Sequence, residues 1–244
     1  MRTFSLLLII FFLPFIGSPQ IVTKTDSTNK SKIYLDISFG SSIPMGYYAR
    51  KDINFGGSGF ATPGFLAQIN LDWIGKSNSG LAIQYTYQKN DLISSIKNDT
   101  LKETYKAVGT GSWTNHYLMA GLVYLHSIDK VYVEGRALIG IVLSSSPLFN
   151  TVDPFDYTSS TNLGVGMAFS AQFGVGYKIS PKVTVKANVE YTLANPQIHH
   201  QYGAQQSYDS ITKQIIYSPP ITVETKRTVS ALLIKAGIVI KLSK

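Results

Sequence analysis

Leu163 to Tyr177 reads LGVGMAFSAQFGVGY and describes a strand with two unlike faces. Leu163, Val165, Met167, Phe169, Ala171, Phe173, Val175 and Tyr177 alternate without a break with Gly164, Gly166, Ala168, Ser170, Gln172, Gly174 and Gly176. In an extended chain successive side chains point to opposite sides, so one face of this strand is large and apolar and the other small or polar. At roughly 3.3 Å per residue the run covers about 45 to 50 Å, well beyond a usual globular strand of ~17 to 20 Å. That length suits a tilted strand that crosses a membrane and continues past its surface.

The same alternation recurs clearly in six further segments, and a seventh completes a count of eight strands. Expected strands lie near Ile33–Gly40, Pro63–Trp73, Leu81–Gln88, within Ser112–Leu125, and at Val131–Ile141, Val183–Leu193 and Leu232–Leu242. The parity of the Ser112–Leu125 strand stays open, because Leu118, Leu122 and Tyr124 compete with Tyr117, Met119 and Val123 for the apolar face. The connections alternate in length. Short turns fall at Gly75–Gly80, Ser127–Lys130 and Lys178–Lys182; long loops fall after the first, third, fifth and seventh strands. An even-stranded up-and-down outer-membrane barrel has this asymmetry, with short periplasmic turns and long extracellular loops. A soluble up-and-down barrel is the competing architecture, with the apolar face as its core.

The distribution of size and charge favours the membrane. Asp36, Asp72, Glu134, Arg136, Lys186, Glu190 and Lys235 all fall on the face opposite the apolar one, which is itself free of charge in every clear strand. Phe169, Phe173, Trp73, Tyr85, Tyr87 and Tyr191 would crowd the narrow interior of eight strands, whereas glycines and small residues would leave it room. In strand Leu163–Tyr177 the glycines are then read as space for neighbouring side chains, and Gly166→Leu is expected to obstruct folding more than Val165→Leu. Aromatic residues gather where a barrel meets the two membrane surfaces. Trp73, Tyr124 and Tyr177 fall near short turns, and Phe65, Tyr85, Tyr87 and Tyr191 near long loops, giving two expected girdles.

The remaining features bound the environment. Arg2 precedes the apolar run Leu6–Leu13, broken by Pro14 and Gly17, in the pattern of a secretory signal peptide assigned to residues 1–20. The polar stretch 21–31 is expected to be a disordered mature N-terminus, and 32–244 the barrel. The chain contains no Cys, so no disulfides staple it. Charged residues make up 15% of the chain, below the ~25% usual for soluble domains, while Tyr 15 and Phe 12 make aromatics plentiful. The formal charge of +8 is spread along the sequence without a basic helix or run, which argues against a nucleic-acid partner.

These features resemble the eight-stranded outer-membrane β-barrel family typified by the OmpA transmembrane domain. The carriers are the Leu163–Tyr177 strand, the alternation of long and short connections, and the terminal Ile238, Ile240, Leu242 pattern, which is similar to the insertion signal of such barrels. The last residues, Ser243 and Lys244, depart from the aromatic ending of many family members, and no peptidoglycan-binding domain is expected after the barrel. The resemblance implies an all-β, antiparallel, up-and-down transmembrane barrel in the Gram-negative outer membrane. Its implied partners are membrane lipid, lipopolysaccharide, the barrel-assembly machinery and an unidentified surface ligand, with a monomer as the expected state and no cofactor.

Rough heights along the strands place Glu134, Arg136, Glu190 and Lys235 at mid-depth, and with Lys186 they form an expected ionic cluster plugging the lumen. Independent solvated side chains in a wet lumen are the alternative. The four histidines, His116, His126, His199 and His200, lack metal-ligand spacing, and the Asn98–Thr100 sequon has meaning only in a glycosylating host. Ser and Asp abound in the loops without a distinctive catalytic pattern, so no catalytic residue is assigned. The expected role is envelope structure or surface interaction through the loops; a lipid A-modifying barrel enzyme, a narrow pore and a soluble periplasmic binder are the alternatives.

Overall fold

The structure, a computed structural model, describes residues 31–242 apart from 52–57, 94, 99–102, 107–108, 150–162, 203–205, 210–213 and 218–220. The expected signal peptide, 1–20, lies outside the described residues, as does all of the 21–31 segment except Ser31.

Eight long strands form the barrel: β1 (Lys32–Met45), β2 (Gly64–Ile74), β3 (Ser79–Asp91), β4 (Ser112–Ile128), β5 (Val131–Ser145), β6 (Leu163–Lys178), β7 (Val183–Tyr202) and β8 (Val229–Lys241). Every strand pairs antiparallel with its neighbours in sequence, and β8 pairs with β1 to close the ring. The barrel is therefore up-and-down and closed, which removes the exposed edges an open sheet would carry.

The register fixes the stagger. Stepping between paired residues from Tyr34 through Asp72, Ala82, Gly121, Leu138, Ser170, Thr192 and Ala231 leads back to β1 at Pro44, ten residues above the start. A stagger of that size tilts eight strands by about 40° and leaves an interior just wide enough for side chains to fill.

Short connections at 75–78, 129–130 and 179–182 sit at one end. Asn78 and Asp129 take left-handed backbone angles there (φ 61° and 52°), a conformation these two residue types tolerate better than most. The long connections at the other end hold more regular structure than their polar sequence suggests. Ser95–Asn98 pairs with Glu103–Lys106, Gln206–Asp209 with Gln214–Tyr217, and Gly109–Thr110 with Leu148–Phe149. Strand β7 runs on to Tyr202 and pairs there with Ile221–Lys226, so the region expected to be loop from residue 194 is in part sheet. The reason is that backbone groups beyond the barrel rim pair with each other in a local ladder, which needs no apolar face and leaves little periodic signal.

Alternation sorts the side chains as the opening strand suggests. Outward positions of the eight strands carry no charge except Lys89 and Asp91 at the loop end of β3. Large apolar residues lie exposed along that surface, Phe39, Leu81, Leu122, Val165 and Phe173 among them. The open parity of β4 is resolved: Leu118, Leu122 and Tyr124 point outward, while Tyr117, Met119 and Val123 are buried inside. Both faces of β4 are apolar because its inward side packs against Leu138, Val142 and Ala168 in an oily sector of the lumen.

The glycines of β6 fall into two kinds, which corrects a single reading of them as space for side chains. At Gly174 an added Cβ would lie 2.9 Å from Glu134 Cγ, and at Gly176 it would run into the Tyr132 ring, so these two do make room for neighbouring side chains. At Gly166 it would lie 2.5 Å from the carbonyl carbon of Asn195 and 2.6 Å from Cα of Pro196, so there it is the backbone of β7 that approaches closely.

Candidate functional site

The lumen holds the densest chemistry among the described residues, and it is stratified. Nearest the short turns, Arg136 of β5 donates from Nη2 to Asp72 Oδ2 (2.8 Å), Glu134 Oε2 (3.2 Å) and Asp36 Oδ2 (3.4 Å). Lys186 of β7 donates to Glu134 Oε1 (2.7 Å) and also pairs with Asp36. Ser38 and Asn70 donate to the two oxygens of Asp36 at 2.7 and 2.5 Å. All five charged side chains are buried. Arg136 Nε and Nη1 take no side-chain or backbone partner, so three carboxylates gather on one nitrogen, and charge rather than a bidentate fork holds the guanidinium.

One layer toward the loops, Lys235 of β8 pairs with Glu190 and Gln68 and donates to Gln172 Oε1 at 2.9 Å. Gln84 donates from Nε2 to Glu190 Oε1 at 2.9 Å. Gln172 donates onward to Glu134 (2.7 Å), and Gln68 to Asn70 (2.9 Å), so the two charged layers form one connected network. β5 stands opposite β1 in the ring, and β3 opposite β7. The Arg136–Asp36 and Gln84–Glu190 bonds therefore cross the full diameter.

The third layer is uncharged. Gln88 donates to Ser42 Oγ (2.8 Å) and Asn90 Oδ1 (2.7 Å), and Ser144 donates to Asn115 Oδ1 (2.6 Å). Over it the chain leaves β1 through Gly46, whose left-handed angle (φ 56°) turns it into a single helical turn, Gly46–Ala49. Tyr48 drops from that turn into the barrel mouth, donating to Asn90 Oδ1 (3.2 Å) and accepting from Asn115 Nδ2 (3.3 Å). Its ring meets Trp113 edge-on at 5.5 Å, and Trp113 Nε1 donates to the Gly59 carbonyl at 2.8 Å. Burial pushes the Tyr48 hydroxyl well above its usual range and the nearby Tyr117 adds to the effect, so this layer stays neutral.

Of the sequence-predicted lumen residues, Glu134, Arg136 and Lys186 meet directly, Glu190 and Lys235 meet each other, and Gln172 joins the groups. Asp36 and Asp72 belong with them. Their inward parity is legible in the sequence, but their height is not, because the stagger carries the turn ends of β1 and β2 to the level of Arg136 on the far wall. Tyr48, in a segment read as loop, gives no sequence signal beyond being aromatic.

On the outer face Trp73, Tyr124 and Tyr177 project at the turn end and Phe65 at the loop end; Tyr85, expected near the long loops, projects at the middle of β3 beside Ile69, and Tyr87 and Tyr191 on the same face are half-buried. Tyr85 Oη lies 2.8 Å from His116 Nδ1, and Tyr87 packs on the same imidazole at 5.3 Å. His199 Nδ1 lies 3.3 Å from Glu224 on exposed sheet, and His126 lies at the opposite end of the barrel. The side chains of His200 and Asn98 and the other two sequon residues, 99 and 100, fall outside what the structure describes.

No protein-family model matches the chain, and no curated protein sequence does. Among solved structures it is similar to Neisserial surface protein A (NspA), at 14% identity over 87% of this chain and 99% of that one, with a TM-score of 0.53. It also aligns with the outer-membrane protease OmpT of Escherichia coli (10% identity, 92% and 100% covered, TM-score 0.44) and with Ail, the attachment invasion locus protein of Yersinia pestis (13%, 86% and 97%, TM-score 0.40). At these identities the likeness to NspA speaks to the fold alone: a closed, antiparallel, eight-stranded barrel of the kind found in outer membranes.

Proposed function

We propose that this chain is an integral outer-membrane barrel of the OmpA-like type that serves the envelope, or contacts partners at the cell surface, through the structure built on its long connections. One observation carries the reading: the outward surface is an apolar band without charge between its ends, while seven charges, Asp36, Asp72, Glu134, Arg136, Lys186, Glu190 and Lys235, are buried in the lumen and paired with one another. A soluble barrel would need the reverse. The aromatic side chains at both ends of the band fit the two membrane interfaces.

The cross-lumen bonds favour a scaffold over a pore. Two of them span the diameter, and the layers above and below are closed by Tyr48 and Tyr132. The paired segments beyond the loop end, Gln206–Asp209 with Gln214–Tyr217 and Ile221–Lys226 with β7, supply backbone on which surface recognition can be built. The mature protein is expected to require detergent, to migrate differently on gels before and after heating, and to give no stepwise conductance in planar bilayers. Free solubility without detergent would end the membrane reading, and regular conductance steps would replace the scaffold by a pore. Altered lipid A in an overexpressing strain would favour an enzyme.

A further inference from the structure

The charge of +8, scattered along the sequence, is not scattered in space. The lumen holds three cations and four carboxylates, and the four long connections carry eight basic against seven acidic residues. The short-turn end differs from both. Lys76, Lys130 and Lys182 stand exposed on its three turns, and Lys32, Lys178 and Lys241 lie half-buried at the strand ends between them. Register places all six together: Lys32 pairs with Ile74, Lys241 with Tyr34, and Lys241 N donates to the Lys182 carbonyl at 2.8 Å. The one acidic residue on this rim among the described residues is Asp129. Lys178 Nζ is directed along the rim, to Ser127 Oγ and the Asp129 carbonyl.

We propose that this rim is a binding ring for anionic phospholipid headgroups in the leaflet that surrounds the short turns. The inference rests on the membrane-spanning reading and adds to it a lipid class. The geometry is what a headgroup needs. Trp73, Ile128, Tyr177, Ile179 and Leu242 are exposed immediately beside the lysines, so the apolar band ends where the positive charge begins. A crevice of about 530 Å³ at the β4–β5 turn is walled by Ile128, Val131, Tyr132 and Val133, with His126, Asp129 and Lys130 at its edge. A lysine stem lies along apolar surface while its ammonium reaches phosphate, and basic groups next to a membrane attract an anionic leaflet within a Debye length.

The protein carries its own reporter, because of its two tryptophans Trp73 lies on this rim and Trp113 is buried at the other end. The experiment is quenching of Trp73 by brominated phosphatidylglycerol or brominated phosphatidylcholine in vesicles containing the inserted barrel. A preference on the order of fivefold or more for phosphatidylglycerol is expected, the counterpart of one or more lysines acting on a charged surface. The combined variant K76Q, K130Q, K182Q and high salt should each bring the ratio near unity, while K51Q at the loop end leaves it unchanged. Lys76→Gln alone, at an exposed turn next to Trp73, should lower the ratio even if the triple variant does not insert. Equal quenching by the two lipids would overturn the ring while leaving the barrel in the membrane, and quenching by neither would overturn the membrane reading beneath it. A preference retained in the variants, or lysine-dependent sedimentation with purified peptidoglycan in the absence of any headgroup preference, would also overturn the proposal.

Discussion

The lumen layer around Arg136 and the layer around Asn90 are both buried and both polar, yet they hold the barrel in different ways. The first is ionic: Arg136 and Lys186 draw carboxylates from β1, β2 and β5, so each cation is answerable to several acids at once. The second is built from amides and hydroxyls, with Ser42, Gln88 and Tyr48 all donating to Asn90 Oδ1 and Asn115 donating to Tyr48. The difference teaches where the barrel tolerates change. Loss of a buried cation strands charges that water cannot reach, whereas loss of a buried amide strands one or two neutral groups.

The contrast can be broken most forcefully at Arg136. Arg136→Met leaves Asp36, Asp72 and Glu134 facing one another with Lys186 alone, and is expected to destabilise the folded barrel by about 3 to 5 kcal/mol in urea titration followed by heat-modifiable mobility. Arg136→Lys should recover most of that loss, because a single Arg136 nitrogen makes all three contacts. If Lys and Met prove equally damaging, the guanidinium acts by shape and not by charge.

Next comes the backbone. Gly166→Ala presses a Cβ against the main chain of Asn195 and Pro196, which cannot yield without parting β6 from β7, and about 2 to 3 kcal/mol is expected. Gly176→Ala meets the ring of Tyr132 at the short-turn end of the barrel, where a side chain can swing, and about 1 kcal/mol is expected in the same assay. A reversed order would mean that the β6–β7 pairing is looser than the Tyr132 packing. The neutral layer closes the series. Asn90→Ala removes a group that bonds Gln88, Ser42 and Tyr48, and a loss of about 1 to 2 kcal/mol is expected, below that of Arg136→Met.

Much of this was legible in the sequence because alternation is a local property. Leu163–Tyr177 declares its two faces without reference to any other strand, and the same holds for β1, β2, β3, β5, β7 and β8. The pattern fails at β4, where Met119 and Val123 face an oily sector supplied by other strands, and beyond the rim, where Ile221–Lys226 pairs through backbone alone. The glycines show the same limit. That Gly166 and Gly176 are small is written in the chain, but whether a backbone or a tyrosine ring fills the space beside each depends on the neighbouring strands.

The sequence by itself determined an eight-stranded up-and-down barrel with charge on one face and oil on the other, since side-chain direction follows from position parity and connection length from turn residues. Tertiary structure alone decided which inward charges meet, because the ten-residue stagger lifts and lowers each strand against the next and brings Asp36 and Asp72 to Arg136. It also decided that six lysines, three from the short turns and three from the adjoining ends of β1, β6 and β8, share one rim. Closure of the sheet brings distant residues to one height, and no local pattern encodes that height.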